Sequence, residues 1–378
     1  MCFFERNITS TVKSILHKIY CDLSQTISGG TNELRFIDLL RGVASVIILI
    51  VHYKHFFMGA GSSVVVSEIV EVEYFNLWAP VAYWGANVVQ LFWAISGFIF
   101  IHVYAGRLNV SVKSFLLSRF ARLYPLHLIT LVSVAIMQYV NLSNFNAFSI
   151  YSINDAYHFI LNLFFASSWG FESGLSFNGP IWSVSVEVFS YGMFFLFLKH
   201  FRINILSLLV ITILCFVLYF LWKSLIVLCL IYFFAGCLAY GVMEFLANKF
   251  GQHAIVIMLC IFTLFTLLAF LNEDLPYLIL YVPAFCSLLI LLNLIEYKYG
   301  SAAIKKLDWL GRTSYGNYLI HSPLQMLFLI FVSFGFLELE HVMKWYFMGV
   351  YITVVIMFSL LSFKYIEKPI QKMILNRF

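Results

Sequence analysis

Hydrophobic residues fill long, nearly uninterrupted segments of this chain, and short polar stretches separate one segment from the next. A helix that crosses a bilayer needs about 20 mostly apolar residues. The windows that meet this requirement are 36–58, 82–103, 123–140, 181–198, 203–221, 224–246, 254–271, 276–295, 313–335 and 343–363. The pattern therefore predicts an all-α, polytopic membrane helix bundle with about ten transmembrane helices.

A further apolar segment, residues 156–169, is shorter, and the distribution of basic residues decides how it is interpreted. Cytoplasmic loops carry an excess of Lys and Arg. With ten spans and both termini in the cytoplasm, the basic residues left on the outer side are Lys54, Lys223 and Lys344. Counting 156–169 as a span would move further basic residues outside. We therefore predict a re-entrant or interfacial helix there.

The polar ends of the chain flank one predicted membrane domain, residues 34–370. Residues 371–378 are predicted to be a cytoplasmic tail, and residues 1–33 a cytoplasmic N-terminal segment. Apolar residues at helical spacing in that segment favour a helix lying on the membrane surface: Val12, Ile15, Leu16 and Ile19. A loosely ordered leader is the alternative.

Composition supports the same class of protein. Hydrophobic residues make up 62% and charged residues 11% of the chain, whereas a soluble domain has roughly 25% charged residues. The net charge of +5 does not indicate nucleic-acid binding, because the basic residues flank apolar segments. The seven cysteines form no CxxC pair and predict neither a disulfide framework nor a metal site.

The first predicted helix carries groups that a purely lipid-facing helix would not retain. Arg41 and His52 differ in rotation by about 20° around a helix and by about 16 Å along it. We therefore expect both on one face, with a cation near the cytoplasm and a proton acceptor toward the outside. Three alternatives stay open: Arg41 only pairs with Asp38, His52 makes a structural hydrogen bond, or His55 takes its place.

A second candidate cluster begins the third helix, where Arg119 and Arg122 are neighbours on a helix surface. Two adjacent guanidinium groups suit bidentate binding of phosphate. Pro125 is expected to fix a local turn beside them. Ordinary anchoring by positive charge at the cytoplasmic side is the alternative.

A third cluster follows the turn predicted at 178–180. Glu187 lies a short way into the next apolar helix, at a depth that matches His52. A carboxylate and an imidazole at one depth predict an orienting pair, in which the carboxylate fixes the tautomer of the histidine. A structural Glu bonded to a Tyr or Ser is the alternative.

His321, followed by Pro323, lies inside the ninth predicted helix, where it contacts the acyl donor or hydrogen-bonds a buried backbone carbonyl. Ser96 and Gly97 lie mid-span, where small residues allow close helix approach. The candidates for substrate positioning are Asp38, Ser96, Trp182, Ser183, Tyr315 and His321.

Six stretches in order resemble acyltransferase family 3, the integral membrane O-acyltransferases of carbohydrates that include O-antigen and exopolysaccharide O-acetyltransferases. They are RFIDLLRG at 35–42 with the histidine at 52, QLFWAISGF at 90–98, RFARLYP at 119–125, NGPIWSVSVE at 178–187, LGRTSYGNYLIH at 310–321 and YIEKP at 365–369. The resemblance covers nearly the whole chain.

The resemblance implies transfer of an acyl group, usually acetyl, from cytoplasmic acyl-CoA to a carbohydrate hydroxyl of a surface polysaccharide, O-antigen or lipid-linked precursor. Arg41, Arg119 and Arg122 would bind the donor. His52, supported by Glu187, would act as general base or carry the acyl group, and the two routes stay open. The expected place is the bacterial inner membrane, with membrane lipids, acetyl-CoA and a glycan as partners, and with no metal.

A transporter or flippase is the alternative from another class, since it also has many spans and buried charges. Within enzymes, a succinyl donor, a lipid acceptor or a small metabolite as acceptor stays open. The sequence does not predict an oligomeric state.

Overall fold

The computed structural model describes residues 17–18, 20–30, 32–57, 81, 85, 87–107, 110–272, 276–342 and 344–377. Its α-helices are α1 Arg35–His52, α2 Val88–Tyr104, α3 Val112–Phe145, α4 Ala156–Leu163, α5 Ile181–His200, α6 Ile205–Trp222, α7 Leu225–Phe250, α8 His253–Leu271, α9 Tyr277–Tyr299, α10 Asp308–Ser333, α11 Leu339–Val342, α12 Trp345–Ser362 and α13 Lys368–Arg377. No strand occurs in these ranges, so the all-α prediction is confirmed.

Within the described residues, each of the ten predicted spans overlaps a helix. Among the described residues, eight helical segments are long and apolar enough to cross a membrane. The other two are α2, which is apolar but has 17 residues, and α10, which has 26 residues and buries many polar side chains. The prediction of a polytopic helical membrane protein is confirmed. The cytoplasmic placement of both termini stays a prediction.

Helix α3 continues through the position where a turn was expected. It runs without a break for 34 residues, about 51 Å at 1.5 Å per residue, and Pro125 lies inside it instead of at a turn. The helix begins where Ser111 Oγ accepts a hydrogen bond from the Ser114 N–H at 3.1 Å. It ends before Asn146, whose φ of 54° is left-handed. Proline is tolerated inside membrane helices, where neighbouring groups satisfy the freed carbonyl.

The doubtful segment 156–169 contains only the eight-residue helix α4. At about 12 Å this helix is too short to cross a bilayer core of about 30 Å, which agrees with the decision not to count it as a span. Asp155 caps its first turn by accepting a hydrogen bond from the His158 N–H at 2.8 Å.

At the C-terminal end, helical structure continues from Trp345 to Arg377. A π-helical turn, Phe363–Glu367, joins α12 to α13, so no break marks the expected tail at residue 371. At the other end, Val12, Ile15, Leu16 and Ile19 lie outside the described residues.

The chain divides into two compact units. The first comprises Met1–Glu33, Trp93–Asn109 and Gly192–Gly300. Within it, the Gly97 α-carbon lies against the Phe233 carbonyl and Gly236 lies against Ala94, with no room for a Cβ at either glycine. The close helix approach that was predicted at Ser96 and Gly97 therefore occurs at Gly97.

The second unit comprises Leu34–Phe92, Val110–Tyr191 and Ser301–Phe378. Its central contact joins α1 to α10. A Cβ on Gly42 would meet the Leu310 carbonyl carbon at 2.6 Å, and a Cβ on Gly311 would meet the Asp38 carbonyl oxygen at 2.7 Å. The two helices therefore touch backbone to backbone near their first turns, which fixes how their polar side chains face each other further along.

Candidate functional site

His52, the last residue of α1, borders a cavity of about 180 Å³ in the second unit. The cavity is smaller than the roughly 300 Å³ of the smallest usual ligand pockets. The described residues that line it are Ile48, Val51, His52, Lys54, His55, Gly85, Val89, Tyr151, Leu175, Pro180 and Trp182. The predicted proton acceptor and the predicted positioning residue Trp182 therefore share one space.

His321 on α10 is the hydrogen-bond partner of His52. The distance from His52 Nδ1 to His321 Nε2 is 2.8 Å, and the ring centroids are 4.9 Å apart. His321 is fully buried, and its Nδ1 lies 3.1 Å from the Asn317 carbonyl oxygen. This geometry brings together two histidines that are 269 residues apart in sequence.

The carbonyl of Asn317 determines which ring nitrogen carries the proton in His321 and, through it, in His52. A carbonyl oxygen only accepts, so His321 Nδ1 carries a proton and donates it to Asn317. In the neutral ring, His321 Nε2 then has the lone pair and accepts from His52 Nδ1–H. His52 Nε2 is left with its own lone pair on the ring that borders the cavity, which is the arrangement a general base or a nucleophile requires.

His55 lies beside His52 in the same cavity, with the two rings stacked at 4.9 Å between centroids. Its side chain is 7% exposed, and its Nδ1 is buried without a hydrogen-bond partner among the described residues. The structure thus gives His52 a fixed tautomer through Nδ1, while the His55 ring has the Gln325 side chain beside it and, among the described residues, no partner at Nδ1. This difference favours His52 as the reactive imidazole.

Arg41 occupies the other end of the same helix face. Its Nε donates to Ser314 Oγ at 2.9 Å, and its Nη2 donates to the Gly311 carbonyl at 2.9 Å. Nη2 also lies 3.1 Å from Asp38 Oδ1. Arg41 and His52 therefore both contact α10, as a shared face of α1 requires. The expected pairing of Arg41 with Asp38 is present as well.

The predicted arginine pair lies on α3. Arg122 is exposed and Arg119 is half-buried. Arg122 and Glu187 both lie within electrostatic range of Arg41, and Arg119 and Arg122 lie within range of Tyr191. Three guanidinium groups and Glu187 are thus gathered around Tyr191, and two more carboxylates adjoin them: Asp38 pairs with Arg41, and Glu367 lies within electrostatic range of Arg122. Neighbouring guanidinium groups fit a phosphate-bearing ligand.

Glu187 belongs to this arginine-rich end, which corrects the pairing expected from the sequence. Its Oε1 accepts a hydrogen bond from Tyr191 Oη at 2.7 Å, while His52 Nδ1 is bonded to His321. A shared depth in two separate helices does not fix which way each side chain points, and α5 presents Glu187 to the charges around Arg41 instead.

The remaining predicted residues hold the helices of the second unit together. Tyr315 Oη donates to the Leu123 carbonyl at 2.7 Å, next to Arg122. Ser183 Oγ lies 2.6 Å from Tyr318 Oη, and that hydroxyl donates to the Pro180 carbonyl at 2.8 Å. Ser96 falls in the first unit.

The sequence analysis named His321, and its bond to the Asn317 carbonyl is one of the two alternatives given there, but it missed the polar face of α10 to which His321 belongs. Asn317, His321 and Gln325 are fully buried. Asn317 donates to Ser45 Oγ at 3.0 Å, and Gln325 donates to the His52 carbonyl at 2.7 Å. The spacing of four residues between these polar side chains was a readable signal that one helix face meets α1.

Tyr151 was also missed, since it lies in a segment without periodicity. Its ring packs on the Gly179 backbone so closely that a Cβ there would clash with it, and burial raises the pKa of its hydroxyl. Gln138 holds Ser149, two residues before Tyr151: it accepts from the Ser149 N–H and donates to the Ser149 carbonyl, both at 2.9 Å. The left-handed φ of 62° at Ile150 then directs Tyr151 to its place.

Comparison with known proteins gives one finding. A family model described as an acyltransferase domain, that of acyltransferase family 3, matches residues 34–364. No curated protein and no solved structure matches the chain.

Proposed function

The chain belongs to acyltransferase family 3 and is a multi-pass membrane acyltransferase, and from this premise we propose that it transfers an acetyl group from acyl-CoA to a carbohydrate hydroxyl. The donor is proposed to bind from the cytoplasm at the arginine-rich end of the second unit. The acceptor, a sugar of a surface polysaccharide, O-antigen or lipid-linked precursor, is proposed to enter the cavity beside His52. The proposed location is the bacterial inner membrane. Family membership argues against the transporter alternative.

The observation that carries this proposal is the chain of hydrogen bonds from Asn317 through His321 to His52. It leaves His52 Nε2 unprotonated at the cavity wall. In the proposed step, Nε2 takes the proton of the acceptor hydroxyl while the hydroxyl oxygen attacks the thioester carbonyl. The new C–O bond forms, the C–S bond breaks, and the CoA thiolate receives the proton from the imidazolium. Ester and free CoA are the products.

Transfer through an acyl-imidazole would use the same nitrogen. We favour direct transfer, because a buried site keeps imidazole neutral, so that Nε2 can accept the hydroxyl proton. The two routes differ in one observable: an acyl-imidazole would accumulate on His52 when acyl-CoA is supplied without acceptor.

Arg41, Arg119 and Arg122 have different roles in the proposed donor site. Arg41 already uses Nε and Nη2 for protein partners, so its main contribution is a fixed positive charge. Arg122 is exposed and Arg119 is half-buried, and these two supply the phosphate contacts. Glu187 balances part of the charge and orients Tyr191 through their hydrogen bond.

The test is acetyl transfer by purified protein in lipid nanodiscs. Radiolabelled acetyl-CoA is supplied with a polysaccharide or lipid-linked glycan extract, and His52→Ala is the comparison. Label that enters the glycan only with His52 present supports the proposal. Label transferred only from succinyl-CoA, or only to lipid, would replace the proposed donor or acceptor. Equal transfer by both proteins would remove His52 from the site.

A further inference from the structure

The cavity beside His52 has an unusual balance of charge. Its described lining residues include one lysine and two histidines, and none of them is a carboxylate. Lys54 lies directly after His52 and Tyr53 in a 3₁₀ turn. Its charge acts on both His52 and His55. As far as the described residues go, the space where the proposed acceptor binds is therefore lined by cationic and neutral groups.

The positive charge in the cavity increases during the proposed reaction, which is unfavourable. When His52 takes a proton it becomes an imidazolium close to the Lys54 ammonium. Many enzymes place a carboxylate on the other ring nitrogen to stabilise that charge. Here the other nitrogen is bonded to His321, a buried imidazole whose own Nδ1 donates to the Asn317 carbonyl. Glu187, the carboxylate of α5, belongs to the arginine-rich end.

We propose that the acceptor supplies a negative charge that the described lining residues do not: it is an anionic carbohydrate, with a carboxylate or phosphate that binds Lys54 while its hydroxyl lies at His52 Nε2. This inference rests on the proposed function and names the substrate class. The anion is not consumed in the step. It binds Lys54 in the ground state and offsets the charge of the imidazolium in the transition state.

The walls of the cavity fit a rigid ring of this kind. Tyr151 and Trp182 line the space, and Tyr151 is fixed from behind by Gly179. Asn154 secures the segment on both sides of the cavity, since it donates to the Tyr151 carbonyl at 2.6 Å and accepts from the Phe177 N–H at 2.7 Å. A cavity whose walls are held in place selects by charge and shape together.

The test measures binding separately from acyl transfer. Wild-type protein in nanodiscs of neutral lipid is titrated with methyl glucoside, methyl glucuronide and glucose 1-phosphate. Lys54→Gln and Lys54→Glu are compared with Lys344→Gln, which changes an exposed lysine paired with Glu340 at 3.1 Å and absent from the cavity lining. The two anionic probes distinguish a uronic acid from a sugar phosphate.

We expect at least one anionic probe to bind the wild type about tenfold more tightly than the glucoside, since a charged hydrogen bond contributes about 1.5–3 kcal/mol. Lys54→Gln should remove most of this preference, Lys54→Glu should reverse it, and Lys344→Gln should leave it intact. Absence of any preference in the wild type, or a preference that survives Lys54→Gln, overturns the inference.

Acyl transfer to the same probes tests the proposed function separately from the proposed anionic acceptor. Transfer without discrimination by charge would retain the proposed function and refute the anionic acceptor. Discrimination by charge in binding, with no transfer to any acceptor, would retain the anionic site and refute the acyltransfer assigned to it.

Discussion

His52 Nδ1 and His321 Nε2 are 2.8 Å apart, and the Asn317 carbonyl bonded to the far side of His321 determines which of the two nitrogens holds the shared proton. The reactive nitrogen of His52 is thus set by a backbone group one helix away. A carboxylate is the more familiar partner in such a position. Here a neutral imidazole takes that position and still fixes the tautomer.

Replacement of His321 should lower turnover without weakening substrate binding. In His321→Leu, His52 loses the acceptor that holds its Nδ1 proton, and we expect kcat to fall on the order of 10²-fold, within the range attributed to general-base catalysis. KM for acyl-CoA should change little. The measurement is a steady-state comparison in nanodiscs.

His321→Gln is the matched variant, because its amide oxygen accepts from His52 and its amide nitrogen donates to Asn317. It should retain clearly more activity than His321→Leu. Equal loss in both variants, with equal loss of thermal stability, would indicate that His321 only fills space.

Arg122→Ala should act mainly on the donor. Removal of one exposed guanidinium from a phosphate site is expected to raise KM for acetyl-CoA about tenfold, which corresponds to one charged hydrogen bond, with a smaller effect on kcat. Arg312→Ala is the control, since Arg312 is also exposed and basic but lies 3.8 Å from Asp308. An unchanged KM in Arg122→Ala would leave Arg122 as an ordinary anchor at the membrane surface.

Gly311→Ala tests the contact that positions the two helices. The added Cβ would lie 2.7 Å from the Asp38 carbonyl oxygen, closer than such atoms approach, so α10 must shift away from α1. We expect a loss of stability of about 1–3 kcal/mol, typical of overpacking, together with a loss of activity. Thermal unfolding in detergent measures the first effect.

Gly349→Ala on α12 is its control, because nothing lies within 4 Å of that added Cβ. It should leave the unfolding temperature unchanged or slightly raise it, since alanine favours helix. Similar behaviour of the two variants would contradict the close contact between α1 and α10.

The acid sensitivity of α4 follows from its cap. Hydrogen bonds from the His158 backbone N–H and ring hold the pKa of the Asp155 carboxyl below its usual value. A depressed pKa stabilises the folded state above the unfolded value of 3.8, and this contribution is lost progressively as pH falls from that value through the lower folded pKa. Hydrogen exchange of the α4 amides should therefore be slower in the wild type than in Asp155→Asn at pH 7, with the difference shrinking below about pH 4.

Glu340→Gln provides the comparison, since Glu340 is an exposed carboxylate on α11. In Glu340→Gln, the amide hydrogens of α4 should exchange at the wild-type rate at every pH. A difference between the wild type and Asp155→Asn that grows, instead of shrinking, as pH falls from 7 to 3 would contradict the titration of this carboxyl.

The sequence predicted the features that depend on the geometry of a single helix. Arg41 and His52 were placed on one face of α1 because the helical period fixes their relative angle, and both do contact α10. It did not predict which helix faces them. Glu187 was expected beside His52 because the two share a depth, but the rotation of α5 about its axis depends on packing along its whole length.

The same limit explains the other differences. Pro125 was read as a turn from its local preference, whereas the surroundings of a membrane helix tolerate it inside α3. Tyr151 was missed because its position depends on Gln138 and Gly179, which are brought to it only by the folded chain. The polar face of α10 was visible at Asn317, His321 and Gln325, but its importance became clear only with the hydrogen bonds to α1.

The most direct measurement is the protonation state of the His52 ring, because it requires no knowledge of the acceptor. Protein labelled with ¹⁵N-histidine is reconstituted in lipid, and the His52 signals are assigned by their loss in His52→Ala. The account predicts a neutral His52 protonated on Nδ1, with Nε2 bare, and a reversal or mixture of tautomers in His321→Leu. A His52 ring protonated on Nε2 in the wild type would contradict it.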